Sequence, residues 1–86
     1  MEFVKTMMFL GCKRRSSERG AGYGVTMYCP GGEAWDFYVR DTVENNDIIA
    51  YLLRAASGTP VDVSFILGKT NDNRLYLRIT HVCDAA

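Results

Sequence analysis

Hydrophobic and polar positions alternate through most of the chain, and the period changes only once. Glu2 to Arg15 reads as a long first strand. Phe3, Lys5, Met7 and Phe9 alternate with Val4, Thr6, Met8 and Leu10, so both faces are mostly apolar, as in a strand that curls around a small barrel. Gly11 lies inside the run, and a glycine there marks a bulge or a bend at a barrel corner. Arg14 to Gly24 reads as a loop, because its glycines and serines supply turn chemistry. Tyr23 to Cys29 forms a second strand, and Pro30-Gly31-Gly32 a turn. Glu33 to Arg40 is the clearest strand, with Trp35, Phe37 and Val39 on one face and Ala34, Asp36, Tyr38 and Arg40 on the other.

The one change to a helical period follows. Asn45 or Asn46 can cap a helix whose N-terminal end Asp47 favours. Ile48, Leu52, Ala55 and Ala56 fall on one stripe with Ile49 and Leu53 beside it, and Asp47, Tyr51 and Arg54 form the wetter face. Gly58 ends the helix and Pro60 forbids its return. Val61 to Leu67 alternates again. Gly68 to Asn73 is a polar hairpin loop, and Leu75, Leu77 and Ile79 alternate with Arg74, Tyr76 and Arg78 in a last strand to about Cys83. The order β-β-β-α-β-β, with one short helix between strands 3 and 4, predicts a mainly β fold: a five-stranded OB-fold Greek-key barrel. The competitor is an open α+β sheet of the same element count. A helix this short plugs a barrel end but barely covers five open strands, which favours the barrel.

Length bounds this to a single domain over residues 1–86. Apolar residues make up 48% of the chain, enough to fold without a metal or a disulfide framework. Cys12, Cys29 and Cys83 are too scattered for a zinc site and read as small packed hydrophobes. No run approaches a membrane span. Phe9-Leu10-Gly11-Cys12 imitates a lipoprotein cleavage box, but the apolar run before it is too short for a signal peptide, so the chain is expected to be cytoplasmic. The net charge is zero, which excludes a polybasic binder and an acidic tail. The charges are nonetheless uneven: residues 1–32 carry a balance of +3, residues 33–62 of −4 and residues 63–86 of +1.

Catalysis finds no candidate residues. His81 is the lone histidine, no serine or cysteine sits in a nucleophile context, and the glycines at 20, 22 and 24 lack the strand-to-helix setting of a dinucleotide loop. The expectation is therefore a non-enzyme without cofactor. Nucleic-acid chemistry is better served, since single-strand binders need a basic groove for phosphates and aromatic faces for bases. Lys13, Arg14, Arg15 and Arg19 put four cations into seven positions. Tyr23 and Tyr28 flank the second strand, Tyr38 and Arg40 share a face opposite Trp35, and Arg74, Tyr76 and Arg78 share a face of the last strand. The plainer readings are that Tyr38 and Tyr76 are ordinary β-surface residues and that the arginines beside Tyr76 serve cross-strand ion pairs. Trp35, Phe37, Phe65 and Phe3 are assigned to the core.

The segment Gly11-Cys12-Lys13-Arg14-Arg15, a short polar loop and then Gly22-Tyr23 resembles small OB-fold single-stranded-DNA-binding proteins of phages and mobile elements, including the filamentous-phage helix-destabilising proteins. Ala21-Gly22-Tyr23 lacks the lysine and proline that this family commonly carries there. The resemblance implies that Lys13, Arg14, Arg15, Arg19, Tyr23 and Tyr38 grip a strand of DNA, and that the chain forms a homodimer. The expected function is sequence-tolerant binding of single-stranded DNA, with RNA as the competing ligand, in replication or recombination. The alternative is a small phage-type interaction or inhibitor module that docks on protein. Its support is the neutral charge and the acidic segment containing Glu33, Asp36, Asp41, Glu44 and Asp47.

Overall fold

A computed structural model describes residues 2–17, 20–69 and 72–85. Five strands, β1 (Phe3–Ser17), β2 (Gly20–Tyr28), β3 (Ala34–Arg40), β4 (Pro60–Lys69) and β5 (Leu75–Asp84), close into a barrel in the order β1-β2-β3-β5-β4. One helix, α1 (Asn46–Arg54), lies between β3 and β4 and is preceded by a single 3-10 turn at Val43–Asn45. This is the five-stranded OB-fold barrel that the element order predicts.

β1 is long because it must pair twice. Its first half runs antiparallel to β4, with Phe3 opposite Phe65 and Met7 opposite Val61. Its second half runs antiparallel to β2, with Phe9 opposite Met27 and Arg15 opposite Gly22. The register slips between Phe9 and Gly11, so Leu10 is an extra residue on β1. The bulge expected at Gly11 is therefore present. Closure is made by a short parallel seam in which Phe37 faces Leu77 and Tyr38 faces Arg78. Most of the segment 14–24 is paired strand rather than the predicted loop. Gly22 and Gly24 carry no side chain on the outer wall, and the room they leave is taken by Tyr38 from β3 and Arg15 from β1.

The core follows the alternation. Met7, Phe9, Val25, Met27, Phe37, Val39, Val61, Val63, Phe65, Ile79 and Val82 point inward and are buried, and their removal from water is the main stabilising term. Two residues assigned to the core sit elsewhere: Phe3 is 41% exposed and Trp35 is half-buried. Both lie at the barrel end away from α1, where no element covers them. Their rings pack on Phe65, Phe3 at 5.7 Å and Trp35 at 6.0 Å between centroids.

The other end is plugged by α1, through Ile49 and Leu52. The buried stripe is narrower than the sequence suggests, since Leu53 is exposed and Ile48 only half-buried. Neither asparagine caps through its side chain; Asn45 instead donates its amide Nδ2 to the carbonyl of Arg40 at 2.9 Å. Past the helix, Gly58 adopts φ 93°, a conformation glycine reaches without strain, and its N–H donates to the Phe9 carbonyl at 2.7 Å. Tyr51, expected on the wet face, is half-buried and donates its hydroxyl to Asp84 at 2.5 Å, tying α1 to the end of β5.

Burial first, and then the Asp84 carboxylate, push the Tyr51 phenol up to about 12. A phenol whose folded value is raised contributes stability that is complete below its unfolded value of 10.0 and is lost as pH rises through about 12. Tyr51→Phe should lower the unfolding free energy by about 1 kcal/mol at neutral pH in urea titrations. In an absorbance titration of the wild-type protein, a tyrosine step should appear near about pH 12, and that step should vanish in the variant.

Candidate nucleic-acid interface

The bulge at Leu10 decides which basic side chains of β1 reach the outer wall. Before it, the odd-numbered residues Met7 and Phe9 point inward. After it, Cys12 and Arg14 take the inward direction opposite Val25 and Tyr23, while Lys13 and Arg15 point outward opposite Gly24 and Gly22. Lys13-Arg14-Arg15 is thus split between two faces. Arg14 stands past the core with its guanidinium 6.0 Å from the centre of the Tyr23 ring, and it pairs with Asp41 at 3.5 Å.

On the outer wall, Lys13, Arg15, Arg40, Tyr38, Tyr76 and Lys69 border a groove of about 970 Å³. It runs across β2 and β3, between the β1–β2 and β4–β5 hairpins. Among the described residues no carboxylate lies within ion-pair distance of Lys13, Arg15, Arg40 or Lys69. Asp36 is the one acidic residue among the described residues that line the groove, and its Oδ1 accepts a hydrogen bond from the Thr26 hydroxyl at 3.1 Å.

Two half-buried rings form the floor. Tyr38 lies over Gly22 and Tyr76 over Gly68, each so close that a Cβ on the glycine would overlap the ring. The rings meet edge to face at 6.1 Å across the β3–β5 seam. Arg15 crosses Gly24 in the same way, its Nε 2.9 Å from where a Cβ would stand. Glycine on this wall therefore serves close approach: two rings and one guanidinium occupy the space a Cβ would need.

The predicted site residues separate clearly on this geometry. Lys13, Arg15, Tyr38, Arg40 and Tyr76 come together in the groove. Arg78 is exposed on the same outer wall, opposite Tyr38 in the seam register, and Arg74 is exposed just ahead of β5. Arg19 lies outside the described residues. Tyr23 is a correction: it is only 9% exposed and belongs to the core, so it offers no face to a base. Its spacing with Val25 and Met27 placed it on the inward face, a signal present in the sequence. Arg14 is the second correction, because its cation is directed to Asp41 and away from the groove. Sequence reasoning missed Lys69, Asp36 and the glycine seats. The acidic segment offered for protein docking is dispersed: Asp36 is in the groove, Asp41 on Arg14, and Glu44 and Asp47 at the start of the helical turns.

No protein-family model matches the chain, and no curated protein matches it in sequence. Among solved structures, the chain is similar to the mitochondrial single-stranded DNA binding protein Rim1 from S. cerevisiae. The TM-score is 0.54 and the identity 15%, over 98% of this chain and 93% of that one. At that identity the likeness is one of fold, and it agrees with the closed five-stranded barrel.

A thermodynamic cycle checks the ring seats. Gly22→Ala should destabilise the protein by about 1 kcal/mol by lifting the Tyr38 ring off the strand. In a Tyr38→Ala background the same change should be neutral or stabilising, because alanine suits a strand better than glycine. The coupling between the two sites should therefore be about 1 kcal/mol or more.

Proposed function

We propose that the protein binds single-stranded DNA along the outer groove, tolerantly of sequence, and that it is a binding protein rather than an enzyme. The observation that carries this reading is the meeting of Lys13, Arg15, Arg40 and Lys69, which have no acidic partner among the described residues, with two tyrosine rings on one wall. Phosphates satisfy the cations, and the rings give bases a surface on which to stack, an interaction indifferent to base identity because every base has a π-face. Glycine seats suit this use, since they hold the rings in place before the strand arrives and reduce the ordering cost of binding. The fold similarity to a single-stranded DNA binding protein supports the same reading. The reading extends to a role in replication or recombination, a phage-type origin, a cytoplasmic site of action and a homodimer, with RNA as the competing ligand.

Fluorescence anisotropy with a labelled dT15 oligonucleotide tests it. Binding should weaken steeply with salt, and Lys13→Ala and Arg15→Ala should each lower the slope of log K against log salt by about 0.7. Tyr38→Ala and Tyr76→Ala should each cost about 1–3 kcal/mol of binding. Arg14→Ala should leave affinity and slope almost unchanged, which distinguishes this groove from a general attraction to the basic segment. No binding at low salt, or equal losses from Arg14→Ala and Arg15→Ala, would overturn the assignment.

A further inference from the structure

Beside the groove lies an apolar recess of about 440 Å³, lined by Phe3, Trp35, Phe65, Leu67, Leu77 and Asp36. It is the barrel end that α1 does not plug. Asp36 and Leu77 line both the recess and the groove, so the two are continuous. Five of the six lining residues are hydrophobic, and Asp36 is the one carboxylate among them, standing where the recess meets the groove. Its Oδ1 is held by Thr26 at 3.1 Å, which fixes the carboxylate and leaves acceptor capacity for a ligand. Lys5 stands at the rim, its Nζ 5.2 Å from the centre of the Trp35 ring.

A carboxylate is a poor neighbour for a phosphate, yet this one interrupts a wall of cations. It makes sense as an acceptor for a base. We infer that the recess is a nucleobase subsite of the same strand, in which one base packs among Phe3, Trp35 and Leu67 and directs an exocyclic amino group to Asp36. Cytosine N4, adenine N6 and guanine N2 supply such a donor. Thymine and uracil present carbonyl oxygens beside a single imino N–H, and those oxygens repel the carboxylate. The groove then tolerates any base along the tyrosines and weights one position towards amino-bearing bases. Lys5 is placed to meet the phosphate of the nucleotide in the recess.

This inference rests on the reading of the groove as a single-strand site, and the experiment separates the two. Labelled dC15 and dT15 are titrated at one salt concentration against the wild-type protein, Asp36→Asn and Asp36→Ala. Fluorescence of Trp35, the protein's single tryptophan, is recorded in parallel. The wild type should bind dC15 about five-fold more tightly than dT15, with dC15 quenching Trp35. Asp36→Asn keeps the size of the side chain and adds a donor, so the preference should fall to about one. Loss of a negative charge alone would tighten both oligonucleotides equally and leave their ratio intact. Tight binding of both with an unchanged ratio in Asp36→Asn, or binding of dC15 without quenching, overturns the subsite alone. Failure of both oligonucleotides to bind the wild type overturns the groove reading and the subsite with it.

Discussion

One extra residue in β1 governs the rest of the outer wall. A regular strand's faces alternate strictly, so a bulge that sets two residues of β1 against one of β2 moves the inward face from odd to even positions for everything downstream. Without the bulge, with Leu10 paired regularly, the direction of Met7 and Phe9 would carry on through Lys13 and Arg15, aiming two cations along the core face and Arg14 outward. With it, Cys12 continues the packed side and Lys13 and Arg15 reach solvent across from Gly24 and Gly22. The bulge also lets one strand serve two partners, turning from β4 to β2 and so bringing the barrel to closure. Fold and candidate site thus share a cause, and the site is not an addition to an otherwise finished barrel.

The rings depend on that wall through the neighbouring strands. β2 presents Gly22 and Gly24 outward, and bare backbone on an outer strand face is a local weakness because it packs nothing. Here the weakness is covered from both sides: Arg15 reaches over from β1 and Tyr38 from β3. Across the two-pair parallel seam, Tyr76 rests on Gly68 and meets Tyr38 edge to face. The seam is the barrel's shortest pairing, so ring contact outside it supports closure as well as shaping the groove floor. On the proposed function, such a surface combines stability and binding in the same side chains, and substitution of either tyrosine is read correctly only when stability is measured beside affinity.

The barrel was legible in the chain because period-two alternation and punctuation by Gly and Pro are local properties. Trp35 to Arg40, Val61 to Phe65 and Leu77 to Ile79 reveal their inward faces without any knowledge of partners, whereas Leu67 and Leu75, on the same alternation, are exposed. Tyr38, Arg40 and Tyr76 were legible as outward residues for the same reason. What escaped depends on pairing. The direction of Arg14 against that of Arg15 turns on where the bulge falls, which is fixed by register with β2. Glycines in a row read as a loop until the rings that cover them are known to come from strands distant in sequence. Phe3 and Trp35 alternate as core residues do, yet the barrel ends beside them, and strand periodicity holds no information about where a core stops.

Zero net charge is compatible with holding a polyanion, because a strand of DNA senses charge within about a Debye length, roughly 8 Å at physiological ionic strength. The total for the molecule matters less than its distribution. Several carboxylates are occupied away from the groove: Asp41 with Arg14, Asp62 with the Thr6 hydroxyl on the β1–β4 wall, and Asp84 with Tyr51 beside the helix. Glu44 and Asp47 lie in the first turns of the helical segment, where acidic side chains are favoured by the backbone dipole. Each of these placements has a structural use and each removes negative charge from the wall that carries Lys13, Arg15, Arg40 and Lys69. Asp36 is the exception that remains there. Its position between a cationic groove and an apolar recess is the feature that simple attraction to phosphate does not explain, and it is the ground for proposing a base, rather than the backbone alone, as what this surface receives.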